Sequence, residues 1–203
     1  FLPNGKIAFS KLAQALEYGA KTLQVEANFD QILALIRVLA ERLGIYLLNS
    51  MNPFRVEGQK AIMFEMLDQR DWKVPDWVVL PGGNLGNTSA FGKGLREAKA
   101  LGLIDKLPRL AVIQAEHSAP FDAYWKAGGT AEFKSVEKPE TLATAIRIGD
   151  PASAELARQL VSPDTVAALR ADHSSESPFS TIEIGELRKA EAGLTCLSVI
   201  FEG

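Results

Sequence analysis

Cysteine is almost absent from this sequence of 203 residues: Cys196 is the single one, so the chain cannot form an internal disulfide. A lone thiol is typical of a protein from a reducing compartment, and we therefore predict a cytoplasmic location. Cys196 has no nearby histidine or basic neighbour to activate it, which argues against a catalytic thiolate. No cluster of His, Cys, Asp and Glu has metal-ligand spacing, so the sequence predicts no metal site.

A basic excess and a long apolar run are also missing. The chain has 22 Lys and Arg against 25 Asp and Glu, a net charge of −3, so nucleic-acid binding has no electrostatic support. No uninterrupted apolar run reaches about 18 residues, which argues against a membrane span. The hydrophobic fraction of 47% is nevertheless enough for a buried core. The length fits one large domain or a domain with part of another.

The first residues carry no initiator methionine, basic leader or apolar signal core. The chain opens on Phe1-Leu2-Pro3, a pattern typical of a strand end entering a turn. We therefore expect a fragment, or a chain cut inside an element.

Helix-like and strand-like segments alternate along the first part of the chain. Helices are predicted from Asn4 or Gly5 to about Gly19, from Asn28 (with Gln31 as capping-box partner) to Gly44, and near 57–67, 91–101, 121–125, 140–146 and 152–160. Strands are predicted at 21–25, 45–48, 77–80 and 110–113, the second as a buried parallel strand. This order predicts an α/β fold with a parallel sheet and helices on both faces. After residue 162 the sequence becomes polar and serine-rich, and it ends in a short apolar run, 197–201.

A glycine-rich segment, 80–89 (LPGGNLGNTS), lies between a predicted strand and a predicted helix. We expect its glycines to adopt positive φ and to let backbone N–H groups approach an anion. The helix that follows would add its unpaired N–H groups and the positive end of its dipole. The side chains of Asn84, Asn87, Thr88 and Ser89 are further candidate donors.

The glycine-rich segment predicts a phosphate site without identifying the phosphate. No Gly-Lys-Ser/Thr triplet closes it, so it is not a Walker loop, and its glycine spacing differs from the dinucleotide fingerprint. A mononucleotide or a phosphorylated cofactor remains as ligand. The alternative interpretation is a tight strand-to-helix turn that binds nothing.

Three blocks in order resemble the threonine synthase family: residues 49–60 (NSMNPFRVEGQK), 81–87 (PGGNLGN) and 141–151 (TLATAIRIGDP). The resemblance extends from about Phe1 to Leu160, the middle-to-late part of such an enzyme. It implies the tryptophan-synthase-β-like fold of pyridoxal 5′-phosphate enzymes (fold type II), here incomplete. It also implies conversion of O-phospho-L-homoserine and water to L-threonine and phosphate, and it leaves room for a homodimer.

The resemblance implies two sets of site residues. The cofactor phosphate would be held by Gly83, Asn84, Leu85, Gly86 and Asn87, and the substrate would lie near Asn49, Ser50, Asn52 and Arg55. The guanidinium of Arg55 suits a phosphate by bidentate donation. The alternative for Arg55 is a structural ion pair with Glu57 or a helix end.

Members of the family carry the lysine that forms the cofactor Schiff base in a Ser-Phe-Lys-Asp type motif, which does not occur here. Four lysines (Lys6, Lys11, Lys60 and Lys93) lie in helix-like settings that favour solvated side chains, so we assign no catalytic residue. We expect this chain alone to be inactive.

The resemblance implies three segments: 1–43 as the end of a small mobile domain, 44–160 as part of the large cofactor-binding domain, and 161–203 as an atypical tail. The tail lacks the features that the family carries there, and its fold is left open. Two other hypotheses remain, a related dehydratase or cysteine-synthase-like lyase, and a non-catalytic remnant that binds phosphate or the cofactor. His117, which follows a predicted strand, is interpreted as a loop histidine rather than a ligand contact.

Overall fold

The computed structural model describes residues 1–3, 9–48, 52–141, 144–161 and 199–201. The chain divides into two compact units, Phe1–Leu48 and Asn49–Gly203. Among the described residues, no helix is both long and apolar enough to cross a membrane.

The first unit contains two short parallel strands and two helices. Its elements are β1 (Leu2–Pro3), α1 (Phe9–Glu17), β2 (Gln24–Val25) and α2 (Phe29–Leu43), with β1 paired to β2. The predicted ends of α2 are confirmed. The Asn28 side chain accepts the Gln31 N–H at 2.9 Å, the Gln31 side chain accepts the Asn28 N–H at 3.0 Å, and Gly44 closes the helix at φ +63°.

The strand predicted at 45–48 is wrong. These residues form no strand, and the side chains of Tyr46 and Leu48 are 65% and 74% exposed. A parallel strand needs a neighbouring strand for its ladder, and none of the described strands pairs with this segment. A four-residue apolar run therefore did not by itself specify the backbone conformation.

The second unit is built on a three-stranded sheet with helices packed against it. Its elements are α3 (Pro53–Gln59), α4 (Ala61–Gln69), β3 (Trp77–Pro81), α5 (Gly86–Ala100), β4 (Arg109–Ile113), α6 (Pro120–Lys126), α7 (Ala154–Leu160) and β5 (Val199–Phe201). The strand order is β4-β3-β5. β3 and β4 are parallel, with Trp77 opposite Arg109 and Pro81 opposite Ile113. The predicted α/β architecture is confirmed for this pair and its helices.

Two of the predicted helices differ from those in the structure. The single helix predicted at 57–67 is two helices, which meet at Lys60. Helix α5 passes close to Lys60: a Cβ built on Gly94 would lie 2.9 Å from the Lys60 carbonyl oxygen. The helix predicted at 140–146 is reduced, within the described residues, to a single 3₁₀ turn, Thr144–Ile146. At Lys60, tertiary packing outweighs local propensity.

The main core lies between α5 and the sheet. Phe91, Leu95 and Ala98 of α5 are buried with Val78, Leu80 and Leu110 of the strands. Leu101, at the end of the helix predicted at 91–101, lies just after α5 and is 70% exposed.

The end of the chain contributes a strand that the sequence left open. β5 runs antiparallel to β3, with Val199 opposite Val79 and Phe201 opposite Trp77. The sheet of the described residues is therefore mixed, since a parallel pair carries one antiparallel neighbour.

Candidate phosphate-binding site

The candidate site is the turn by which β3 enters α5. Strand β3 ends at Pro81, and the Gly82 N–H extends the ladder by donating to the Ile113 carbonyl oxygen at 2.7 Å. Residues 82–85 then reverse the chain, and α5 begins at Gly86. The turn thus lies at the carboxyl end of a parallel strand, where α/β sheets bind ligands.

Six consecutive backbone N–H groups, those of residues 83–88, donate no hydrogen bond to any described residue. We call them the N–H cradle. The first bond of the helix is made by the Ser89 N–H, which donates to the Leu85 carbonyl oxygen at 3.0 Å. Unpaired donors at a helix N-terminus form an anion site, because they point at the ligand and share the positive end of the dipole.

The expected positive φ falls on a residue other than glycine. Leu85 has φ +61°, whereas Gly82, Gly83 and Gly86 are all outside the left-handed region. The Leu85 side chain is only 2% exposed and packs with Phe121, so burial stabilises the strained backbone. The prediction that these glycines adopt positive φ is wrong.

Close packing explains Gly82. A Cβ there would lie 2.6 Å from Val112 Cγ1 and 2.9 Å from Gln114 Cγ, distances that real contacts do not show. Only glycine fits this point of the turn without displacing β4.

Gly86 is different, because a side-chain Cβ would fit there. A Cβ there would meet only ordinary contacts, 3.7 Å from Gln59 Oε1 and 4.0 Å from Ser153 Oγ. Two residues further along the chain, the Thr88 hydroxyl is fully buried and has no hydrogen-bond partner among the described residues. The unpaired N–H groups and the neutral polar side chains beside Gly86 fit a phosphate monoester.

The side chains predicted as donors have separate roles in the structure. Asn84 Oδ1 accepts the Ala152 N–H at 2.7 Å, so this side chain ties the turn to the residues before α7. Its amide nitrogen and the Asn87 side chain make no hydrogen bond within the described ranges, and both remain candidates for a ligand. Ser89 is wrong as a donor, because its hydroxyl bonds the Leu85 carbonyl oxygen at 2.9 Å.

Of the four predicted substrate residues, the structure describes two, Asn52 and Arg55. Asn49 and Ser50 lie outside the described residues. Asn52 is 7% exposed and caps α3, since its Oδ1 accepts the Phe54 N–H at 2.9 Å. Arg55 is exposed on α3 and forms no ion pair with Glu57 in the described part of the chain, so of the alternative interpretation only the contact with a helix end is left.

Glu57 instead belongs to a four-residue ion network. Lys60 lies 2.6 Å from Glu57 and 2.7 Å from Glu97, while Lys93 contacts Glu57 and lies 3.1 Å from Glu97. The hydrogen bond to Lys60 is the main cause that lowers the pKa of Glu57 and of Glu97. The hydrogen bond to Glu57 is the main cause that raises the pKa of Lys60 and of Lys93.

These bonds favour the protonated form of both lysines and hold their ammonium groups in ion pairs. A lysine that acts as a nucleophile or base needs its pKa lowered rather than raised. The surroundings of Lys60 and Lys93 raise the pKa of both side chains, which is opposite to that requirement.

The sequence did not predict two residues that position the site, Gln114 and Ser118. Gln114 Nε2–H donates to the Gly82 carbonyl oxygen at 2.9 Å, and Gln114 Oε1 accepts the N–H groups of Phe121 and Asp122. The buried Ser118 hydroxyl bonds the Ile146 and Ile148 carbonyl oxygens at 3.2 and 2.9 Å. The only sequence signal was a polar residue directly after a predicted strand, which also describes an ordinary loop.

His117 is exposed in the loop after β4, as interpreted from the sequence. The described residues contain no group of three or more His, Cys, Asp and Glu side chains that could hold a metal ion.

Comparison with known proteins defines the class. A family profile described as "Pyridoxal-phosphate dependent enzyme" matches residues 1–173. The chain belongs to this family of pyridoxal-phosphate dependent enzymes. It is 56% identical over 153 residues to a threonine synthase of Methanosarcina acetivorans, covering 75% of this chain and 38% of the relative. A threonine synthase of Synechocystis is 40% identical over 198 residues, covering 96% of this chain and 47% of the relative.

The recognised resemblance is therefore confirmed, and the chain spans less than half the length of these curated relatives. Solved structures support the fold. A fungal L-serine ammonia-lyase from Rhizomucor miehei matches with a TM-score of 0.62 at 24% identity, over 78% of this chain and 47% of that chain. Maize serine racemase matches with a TM-score of 0.61 at 19% identity, over 82% of this chain and 47% of that one.

Proposed function

We propose that this chain is part of a threonine synthase, which converts O-phospho-L-homoserine and water to L-threonine and phosphate. In this proposal Gly83, Asn84, Leu85, Gly86 and Asn87 hold the phosphate of pyridoxal 5′-phosphate. The observation that carries it is the N–H cradle, six donors at the start of α5 that have no partner among the described residues, with room for a Cβ at Gly86. The identity to threonine synthases supports the choice of reaction.

The cofactor, when bound, supplies an electron sink for elimination of phosphate and addition of water. The chain's own contribution is binding and orientation. The N–H cradle offers dipoles without a side chain in the way, and Asn84 fixes the turn through the Ala152 N–H. Asn49, Ser50 and Asn52 would line the substrate side, and the exposed guanidinium of Arg55 would bind the substrate phosphate by paired donation.

The proposed domain assignment keeps 1–43 as the end of a small domain, 44–160 as part of the cofactor-binding domain and 161–203 as a tail. The compact units divide at Leu48 and Asn49, five residues beyond the first of these boundaries. A small-molecule substrate, a homodimer, a cytoplasmic location and the lack of a nucleic-acid or membrane partner complete the proposal.

A second candidate is a non-catalytic chain that binds the cofactor. It is favoured by one observation, that Lys60 and Lys93 are both held in ion pairs. The two candidates differ in the complete protein, because only a threonine synthase releases phosphate from O-phospho-L-homoserine.

The first test is binding of pyridoxal 5′-phosphate to the purified chain by calorimetry, with inorganic phosphate as competitor. Gly86→Asp places a carboxylate beside the cradle where a Cβ has room, so we expect binding to fall at least tenfold. Gly86→Asn is the matched control, with nearly the same size and no charge. An acidic residue in the first turn of α5 favours the helix, so the melting temperature should not fall.

Competed binding that survives in Gly86→Asn and is lost in Gly86→Asp supports the cradle. Equal binding by both variants contradicts it, as does a parent chain that melts cooperatively and binds neither ligand.

A further inference from the structure

We propose that Gln59 and Ser153 are two further phosphate-contacting residues, whose side chains donate hydrogen bonds to the phosphate held beside Gly86. Neither residue belongs to the sets that the resemblance to threonine synthases implies. The inference rests on the proposed function, because it takes the N–H cradle as the phosphate site.

Both side chains reach the cradle from separate elements. Gln59 is the last residue of α3 and Ser153 precedes the first residue of α7. Measured from a Cβ built on Gly86, Gln59 Oε1 is 3.7 Å away and Ser153 Oγ is 4.0 Å away. Both polar ends therefore lie beside Gly86, where the proposal places the phosphate.

Both polar ends lack a partner in the described part of the chain. The carboxamide of the half-buried Gln59 makes no hydrogen bond there, and neither does the hydroxyl of Ser153, a residue only 5% exposed. Neither Gln59 Oε1 nor Ser153 Oγ is among the fully enclosed polar atoms without a partner, so both ends are accessible to a ligand with acceptor oxygens. Rotation of the Gln59 carboxamide presents Nε2–H to such a ligand.

Their positions are fixed by neighbouring contacts. Gln59 is followed by Lys60, which is ion-paired to Glu97 of α5 at 2.7 Å. The Ser153 N–H donates to the Asn84 carbonyl oxygen at 3.1 Å, and the Ser153 carbonyl oxygen accepts the Ala157 N–H at 2.8 Å. Donors held in place before binding lose little entropy when the ligand arrives.

The test compares Gln59→Leu, Gln59→Glu and Ser153→Ala with the parent chain, using calorimetry with pyridoxal 5′-phosphate and inorganic phosphate. We expect Gln59→Leu and Ser153→Ala each to weaken binding about tenfold, and Gln59→Glu to weaken it further because two anions then meet. Gln69→Leu and Ser135→Ala are matched controls, since both residues are exposed and bond only Glu65 and Asp150. Pyridoxal, which has no phosphate, should not distinguish any of these chains.

The ligand-free melting temperature separates contact from structure. We expect it to be unchanged in Gln59→Leu and Ser153→Ala, since neither side chain bonds the described protein. A residue whose variant binds phosphate as tightly as the parent is wrongly assigned, and so is one whose variant lowers the ligand-free melting temperature in proportion to the lost affinity. If Gly86→Asp also retains phosphate binding, the assignment of the N–H cradle as the phosphate site is wrong. If Gly86→Asp alone loses binding, the cradle is the phosphate site but Gln59 and Ser153 do not contribute to it.

Discussion

Gln114 bonds the carbonyl oxygen of Gly82 at 2.9 Å, which joins the end of β4 to the first residue of the phosphate turn. The same side chain accepts the Phe121 and Asp122 N–H groups at 2.9 and 3.1 Å, and so serves as a remote cap for α6. α6 has no side-chain cap of its own at Ala119. One amide thus positions both the turn and the helix beside it.

Replacing Gln114 by leucine should lower the stability of the chain. The variant Gln114→Leu keeps the volume but leaves three backbone groups without their partner, so we expect a loss of roughly 3 kcal/mol in the free energy of unfolding. Urea unfolding of the purified chain measures it. Gln159→Leu, at an exposed residue that bonds Glu155, is the control and should change stability by less than about 0.5 kcal/mol. Equal midpoints for the two variants would contradict the role of Gln114.

Gly94 should not tolerate a side chain, whereas Gly58 should. A Cβ on Gly94 would lie 2.9 Å from the Lys60 carbonyl oxygen, so Gly94→Ala should destabilise the chain by about 1–3 kcal/mol. Gly58, inside α3, has nothing within 4 Å, and Gly58→Ala should stabilise by about 0.5–1 kcal/mol through helix propensity. Opposite shifts of the melting temperature are expected. A Gly94→Ala variant as stable as the parent would show that α5 does not pack on Lys60 as described.

Ser118 holds the loop after β4 against the residues around Ile148. Ser118→Ala removes a buried hydroxyl that bonds two carbonyl oxygens and accepts the Ile148 N–H at 3.2 Å, so we expect a loss of about 1–3 kcal/mol by urea unfolding. Ser135→Ala, which removes an exposed hydroxyl bonded to Asp150, should be nearly neutral. An equal loss of unfolding free energy in both variants would show that the hydrogen bonds of Ser118 do not stabilise the loop more than an exposed serine does.

The ion network predicts a pH dependence of stability. Because folding lowers the pKa of Glu57 and Glu97, their contribution is fully present above the ordinary value of 4.5 and is lost as pH falls through the lowered pKa of the folded state. Lys60 and Lys93, with raised pKa, contribute fully below their ordinary value of 10.5 and lose that contribution as pH rises through the folded pKa.

Glu97→Gln should therefore flatten the acid side of the stability curve, measured as the urea midpoint between pH 6 and pH 3 (about 4.5 being the pivot). Glu155→Gln, which removes an exposed partner of Arg158, is the charge-matched control. An unchanged acid slope in Glu97→Gln would show that the network adds nothing to stability.

Local chemistry explains which predictions of secondary structure succeeded. The ends of α2 follow from Asn28, Gln31 and Gly44, because each capping bond joins residues only three or four positions apart. β3 and β4 follow from apolar runs that supply the buried residues Val78, Leu80, Leu110 and Ala111. The run at 45–48 has the same character and forms no strand, because a ladder partner is not a local property.

The sequence by itself determined the strand, the turn and the helix of the candidate site, and the family, because glycine-rich turns and ordered motifs are written in consecutive residues. Tertiary structure decided which donors stay unpaired. Asn84 accepts a hydrogen bond from Ala152, 68 positions away, and Gln114 donates one to Gly82, 32 positions away. The Ser89 hydroxyl bonds the Leu85 carbonyl oxygen at 2.9 Å and the Ser153 carbonyl oxygen at 3.4 Å, so it is used by the protein itself. Leu85 rather than a glycine took the left-handed backbone, because the burial of its side chain against Phe121 offsets the strain.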